Sequence, residues 1–353
     1  MNSQIFPKTM KAAILTAQHT PLVVADVELP AELNYGQVLV KVLYSSICGS
    51  QLGEIDGAKG PDKYLPHLLG HEGSGIVEQC AEGVTVVRAG DHVVLHWREG
   101  KGLLAATPHY LWNGQKVNAG PVTTFNEYAV VSENRLTPIP VDIDLKLAPL
   151  YGCALTTAFG VVHNDAQLKA GESLLIFGSG GVGMVIVQAA ALASAYPIIA
   201  VDINDFKLEQ AKKCGATHVF NSLRENVGEK ISALLPQGAD AVVDTTGLKP
   251  VRELAYDLTS KEGRTIFVGV PKQGEKMSLD TLPLHFEKRI SGSHGGSAQP
   301  SYDIPRLIRL QQQGILKIDH FISHVYPLER INEAIQQVRT GDVVRCLIKM
   351  NHD

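Results

Sequence analysis

Between residues 11 and 95 apolar positions come in short alternating runs. "GQVLVKVLY", "SGIVEQC" and "HVVLHW" read as strands, with Gly, Pro and Asp between them. Alternation with period two gives one buried face and one polar face. Few stretches here carry a helical period, so this part is expected to be an antiparallel, β-rich domain. Residues 96–122 show no period and are expected to be a long excursion between strands.

After Cys153 the period changes. "SLLIFGSGGVGMVIVQAAALASAYPIIAVD" reads as strand, glycine turn, helix, strand. No charged residue occurs from Ser173 to Val201, which is long enough to span a bilayer. The glycine cluster, Gln188 and Pro197 argue instead for a buried β-α-β unit, whose parallel strands read as unbroken apolar runs. "DFKLEQAKKCGA" is helical and ends at Gly215; "HVFNS", "DAVVDTTG" and "RTIFVGVP" are further strands. This alternation predicts a doubly wound parallel sheet. The tail holds two helices, "DIPRLIRLQQQG" and "LERINEAIQQVRTG", and a last strand, "RCLIKM".

The length of 353 residues favours two domains over one core. With 44% hydrophobic and 19% charged residues the chain is of a folded type. A net charge of −4 and no basic block exclude a nucleic-acid or membrane-surface partner. Five scattered cysteines fit a reducing cytoplasm, and the N-terminus shows no apolar leader core of a secretory signal.

Gly178, Gly180, Gly181 and Gly183 form a G-x-G-x-x-G string, with Val182 inside it, between an apolar strand and a helix. The first glycine makes the tight turn, the second lets backbone approach a pyrophosphate, and the last lets helix and strand pack closely. The helix N-terminus adds free N–H groups for the phosphates. The second strand ends at Asp202, whose carboxylate suits ribose hydroxyls and repels a 2′-phosphate, so NAD is expected over NADP. Lys207 follows within reach of the ribose or a phosphate; a solvated lysine at a helix start is the alternative.

Candidate metal ligands are Cys48 in "SSICGSQ", His71 with Glu72 in "LLGHEGSG", and Cys153 in "LYGCALTT". Three such donors and an open position make a catalytic zinc site. Their wide separation leaves the other reading open, in which buried cysteines act as small hydrophobes.

The chain resembles the medium-chain, zinc-dependent alcohol dehydrogenases. The resemblance rests on Gly70-His71-Glu72, Gly75, Ala81 and Val84, on "AGDHVV" after them, and on "GQVLVKVLYSSICGS" before them. It runs in order from about Met10 to Met350. It implies a GroES-like, β-rich catalytic domain from residues 1–153 and 295–353, with a Rossmann domain over 154–294. It also implies reversible oxidation of an alcohol (secondary, polyol or sugar-type) by NAD with one catalytic zinc, in a dimer or tetramer. Cys48, His71 and Cys153 match the zinc ligands; Glu72 matches a carboxylate behind the zinc that also serves some relatives as a ligand. Ser50 matches the hydroxyl that receives the substrate proton. Thr157 and Val182 match residues behind the nicotinamide, and Val268 and Val270 the strand end that holds its carboxamide. Arg345 matches an arginine that reaches the pyrophosphate and the carboxylates behind the zinc.

The chain departs from the family at three places. Gln51 replaces an aspartate beside the ligand histidine; an amide can still orient an imidazole by accepting its N–H, without raising its basicity. Gly53 replaces a histidine that ends the proton relay, so the proton is expected to leave through the cofactor ribose to water. Residues 96–122 contain no cysteine, so no structural zinc lobe is expected; His96, Trp97, His109, Tyr110 and Trp112 there either line the substrate cleft or a subunit contact or pack the segment onto its domain, and no role is assigned to them. Two rival readings are a zinc-free, NADPH-dependent quinone-reductase-like enzyme and a non-catalytic nucleotide-binding protein of the same fold.

Overall fold

The structure is a computed structural model and describes residues 7–352. Residues 1–6, on which the expectation of no leader partly rests, lie outside the described residues. Among the described residues no helix is long and apolar enough to cross a membrane.

In chain order the elements are β1 (Thr9–Leu15), β2 (Val23–Glu28), β3 (Gln37–Ser46), α1 (Gly49–Ile55), β4 (His67–Leu68), β5 (Glu72–Cys80) and β6 (His92–His96). Then come β7 (His109–Trp112), β8 (Gln115–Asn118), β9 (Tyr128–Ser132), β10 (Leu136–Pro138), α2 (Ala154–Gly160), β11 (Leu174–Phe177), α3 (Gly181–Leu192) and β12 (Ile198–Asp202). They are followed by α4 (Asp205–Lys213), β13 (His218–Asn221), α5 (Val227–Leu234), β14 (Ala239–Asp244), α6 (Lys249–Asp257), β15 (Thr259–Phe267) and β16 (Arg289–Gly292). The tail carries α7 (Pro300–Gln312), β17 (Ile322–Pro327), α8 (Ile331–Thr340) and β18 (Arg345–Lys349).

The chain divides into two compact units. One runs to Cys153 and resumes at Gln299; the other is Ala154–Ala298. The return to the first unit thus falls at Gln299 rather than at residue 295. Gly295–Ser297 stays with the second unit because it packs on α2, where a Cβ on Gly160 would lie 2.1 Å from the Gly296 carbonyl oxygen.

The first unit holds a closed barrel, β1-β2-β7-β8-β4, and a seven-stranded sheet in the order β10-β6-β5-β3-β18-β17, with β9 also on β3. Most pairs are antiparallel; β4 with β8 and β17 with β18 are parallel. β3 is buried along most of its length because it carries partners on both edges, β18 and β5 among them. Val38, Val40, Val42, Val93, Leu95 and Ile348 fill the core beneath it, each contributing about 1.5–3 kcal/mol of burial.

The barrel corrects one expectation. Residues 96–122 are not an unpaired excursion: β7 and β8 form a hairpin that closes it. Its turn is Asn113-Gly114, both at positive φ (51° and 72°), the geometry whose twist matches that of the strands it joins. Tyr110 is fully buried in the barrel core, and its hydroxyl accepts the Val130 N–H at 3.0 Å, so it packs the segment onto its domain.

The second unit is a six-stranded sheet in the order β13-β12-β11-β14-β15-β16, all parallel. The order reverses at β11, so the crevice at its C-terminal end is the ligand position of this fold.

Candidate active site

In the first unit, Cys48 stands at the start of α1, with its N–H donated to Gln51 Oε1 at 2.9 Å. His71 follows Gly70, which has φ 89° and where a Cβ would lie 2.4 Å from Thr124 Oγ1. Only glycine lets the chain turn there and begin β5 one residue after the histidine. A short helical turn, Ala148–Gly152, packs on β5 and β6 and brings Cys153 to the same place. The donor atoms of Cys48, His71 and Cys153 lie within 4.8 Å of one another. Both cysteines are buried, and His71 Nε2 is buried with no hydrogen-bond partner. Two sulfurs and an unsatisfied imidazole nitrogen at this spacing fit a zinc-type ion.

The hydrogen bond from Cys153 holds the Cys48 thiol well below its ordinary pKa against the opposing effect of burial, and Cys153, as the donor, is pushed up. Burial pulls His71 down, but the nearby Cys48 sulfur and its charge outweigh burial, and the net shift is upward.

Glu72 stands apart from the trio. Its neighbour His71 takes one side of the extended chain, and Glu72 turns to Arg345, whose Nη1 donates to Oε1 at 2.7 Å. Arg345 is buried as well, and Nη1 also lies 3.4 Å from the Ile47 carbonyl. Burial lifts the Glu72 carboxyl to about 7 although Arg345 opposes the rise, and its Oε2 has no partner among the described residues. Gln51 contacts His71 Nδ1 through its amide nitrogen, not its oxygen, because the oxygen already accepts the Cys48 N–H. Ser50 lies beside it on α1, Oγ 3.5 Å from His71 Nδ1.

In the second unit the glycine string joins β11 to α3. Gly178 has φ 90°, and a Cβ on it would lie 2.4 Å from Thr245 Oγ1. Gly183 backs onto the Gly178 carbonyl, 2.0 Å from where a Cβ would sit, whereas a Cβ at Gly180 meets nothing within 4 Å. Turn, open approach and close packing are thus divided as expected. Asp202, at the end of β12, accepts the Ser179 N–H at 2.7 Å on one oxygen and the Asn204 N–H at 3.0 Å on the other. Each oxygen keeps a lone pair for a ribose hydroxyl. Lys207 lies in the first turn of α4, capped by Asn204.

Residues 34–141 match the alcohol dehydrogenase GroES-like domain, and residues 181–313 match the zinc-binding dehydrogenase domain. The chain is 31% identical to an S-(hydroxymethyl)glutathione dehydrogenase of Aspergillus oryzae, over 99% of this chain and 98% of the relative. The chain belongs to the zinc-type medium-chain alcohol dehydrogenases. A Haemophilus influenzae protein with the same printed name is 30% identical over 96% of each chain. Among solved structures, benzyl alcohol dehydrogenase of Acinetobacter calcoaceticus superposes with a TM-score of 0.88 at 28% identity, over 98% of this chain and 100% of that one. An alcohol dehydrogenase zinc-binding domain protein of Burkholderia ambifaria gives 0.87 at 30% identity, over 98% and 99%. As a member of this family the chain is an oxidoreductase that interconverts an alcohol and its carbonyl compound by hydride transfer.

The dehydrogenase's remaining expected residues fall in the second unit. Thr157 is buried in α2, which packs on α3 near Val182. Val268 leaves the end of β15 with its N–H on the Asp244 carbonyl at 2.8 Å, and Val270 is exposed two residues on. The sequence reading missed two residues that fix this edge. Thr245 Oγ1 donates to the carbonyls of Phe177 and Gly178 (3.1 and 2.9 Å), and buried Asp244 accepts the N–H groups of Thr246 (2.8 Å) and Gly247 (3.0 Å). "DTTG" at a strand end is the turn signal that marked them.

Proposed function

We propose that the chain is an NAD-dependent alcohol dehydrogenase working with one zinc ion held by Cys48, His71 and Cys153. The carrying observation is the convergence of those three donors, with His71 Nε2 unsatisfied, beside the Ser50 hydroxyl. When bound, zinc supplies Lewis acidity at the open position of such a site, and NAD supplies the hydride acceptor. Ser50 Oγ receives the proton of the substrate hydroxyl as general base. Glu72 stays behind the ligands, and Arg345 balances its charge and reaches the pyrophosphate. Gly178, Gly180, Gly181 and Gly183 take the pyrophosphate, Asp202 the ribose, and Lys207 lies beside it. Thr157 and Val182 back the nicotinamide; Val268 and Val270 hold its carboxamide.

A single zinc is supported by the cysteine-free 96–122 segment and by the trio being the only such donor group among the described residues. The substrate is a small alcohol of secondary, polyol or sugar type. Cysteines that form no disulfide among the described residues support a cytoplasmic setting, and the family resemblance a dimer or tetramer. Metal analysis of purified protein and an NADH-production screen test this reading. The screen covers polyols, amino alcohols, aliphatic alcohols and S-(hydroxymethyl)glutathione. Less than about half an equivalent of zinc would sink the metal assignment. A preference for NADP would sink the role of Asp202.

A further inference from the structure

Once Ser50 holds the substrate proton, the proton needs a way out. At Gly53 no side chain is present, although a Cβ there would meet nothing nearer than Ala58 Cβ at 3.6 Å. The next residue is Glu54. Ser50 and Glu54 are four apart on α1, and residues so spaced lie one above the other on a helix. Gln51 and Ile55 form the buried stripe of α1, so the half-buried Ser50–Glu54 stripe runs along its edge. The Glu54 side chain is 32% exposed and therefore reaches water, with Oε1 3.7 Å from Lys59 Nζ. Ser50 Oγ in turn lies 3.5 Å from His71 Nδ1. The other charged or titratable groups around this end of α1 are Asp56, paired with Arg339 at 2.7 Å, and His19.

We propose that Glu54 is the proton acceptor beyond Ser50. As the substrate hydroxyl gives its proton to Ser50 Oγ, the Ser50 O–H breaks and an O–H forms on the Glu54 carboxylate, directly or through one water. Glu54 then releases the proton to solvent. No electrons move in this step; the hydride leaves separately from the carbinol carbon. Lys59 Nζ, 3.7 Å from Glu54 Oε1, is the cation nearest the accepting carboxylate in the α1 contacts. Glu54 acts through Ser50 and does not itself touch the substrate. The inference rests on the function proposed above.

The test is Glu54→Gln in the full, zinc-loaded chain. With an alcohol that the wild type oxidises, kcat falls about 10-fold or more, while zinc content is unchanged. Imidazole in the buffer restores the rate. So does adding Gly53→His, three residues from Ser50 on the same helix side. A second readout needs no turnover. 2,2,2-Trifluoroethanol, whose electron-poor carbinol carbon resists hydride loss, is mixed with enzyme and NAD, and proton release to an indicator dye is followed. The variant releases the proton more slowly at equal stoichiometry. An unchanged kcat with unchanged proton release overturns the relay. So does a slow variant that neither imidazole nor Gly53→His restores and whose proton release is as fast as wild type, since that is a structural defect. If the zinc-loaded wild type oxidises no alcohol with NAD, the function proposed above fails first and takes the relay with it.

Discussion

Two regions of the β-rich unit bury a glutamate and a histidine each, and they treat them in opposite ways. Around β9 and β10, Glu133 is fully buried without a cation. Its Oε2 accepts the N–H groups of Thr85 and Val86 (2.8 and 2.9 Å), and its Oε1 accepts that of Leu103 (2.7 Å). Beside it, buried His96 bonds the Arg98 carbonyl at 2.8 Å through Nδ1 and Thr137 Oγ1 at 2.9 Å through Nε2. The Glu133 carboxylate and the His96 imidazole thus have a partner on every polar atom, although neighbouring Asn134 Oδ1 and Arg135 Nε have none among the described residues. At the donor cluster, Glu72 Oε2 and His71 Nε2 are buried with none among the described residues. Burying a polar group unsatisfied costs roughly 1–3 kcal/mol. A fold that satisfies one glutamate–histidine pair and leaves the other unsatisfied spends stability where a ligand can repay it. The Glu133 region does a structural job: with Ser132 it straps Leu103 and Ala105 to the sheet.

Removing a donor is expected to break the comparison most severely. Cys48→Ala abolishes zinc binding, and alcohol oxidation falls to background, measured by metal analysis and NADH production; the fold persists because a buried cysteine is small. Glu72→Gln comes next. It leaves the Arg345 guanidinium buried without its counter-charge, at about 3 kcal/mol of stability, and weakens zinc retention about 10–100-fold. Denaturant titration and chelator competition measure both effects. Glu133→Gln sharpens the contrast, because it turns an amide N–H toward backbone N–H groups. Stability falls by about 2–3 kcal/mol, yet zinc content and kcat of the folded fraction stay at wild-type values. A loss of zinc in this variant would show that the two regions are not independent.

The last effect is a slope, spread over more than two pH units and small at any one pH. Burial depresses His96 to about 4, with the Arg98 and Leu136 backbone groups opposing it. The unfolded chain takes up this proton near pH 6.5 and the folded chain only near 4, so the unfolded state binds more protons between them. Stability therefore drains as pH falls through that window, by about 3 kcal/mol in all. In His96→Gln the dependence of unfolding free energy on pH between 6.5 and 4 is shallower by about one proton.

What the sequence made legible follows the range of the interactions. The glycine string, Asp202 and the parallel strands were readable because each signal is complete within some thirty residues. The donors were readable only through resemblance, since Cys48, His71 and Cys153 meet by folding and not by spacing. The β7–β8 hairpin carried its own signal in Asn113-Gly114, hidden by the absence of period around it. The Glu133 partners at 85, 86 and 103 left no local trace, because backbone amides are the same whatever the residue. The direction of Gln51's amide was unreadable for a related reason: a backbone N–H claimed its oxygen first.

The register of β18 against β3 has a consequence for biosynthesis. Leu347 pairs with Ser46, and Arg345 opens the same strand. Cys48, His71, Glu72 and Cys153 emerge from the ribosome ahead of the whole of Ala154–Ala298. That continuous unit can fold as it appears, while the split one waits for its closing strand. Until β18 arrives, Glu72 lacks the guanidinium that faces it in the finished fold, so the carboxylate behind the donors gains its partner from the last strand of the chain.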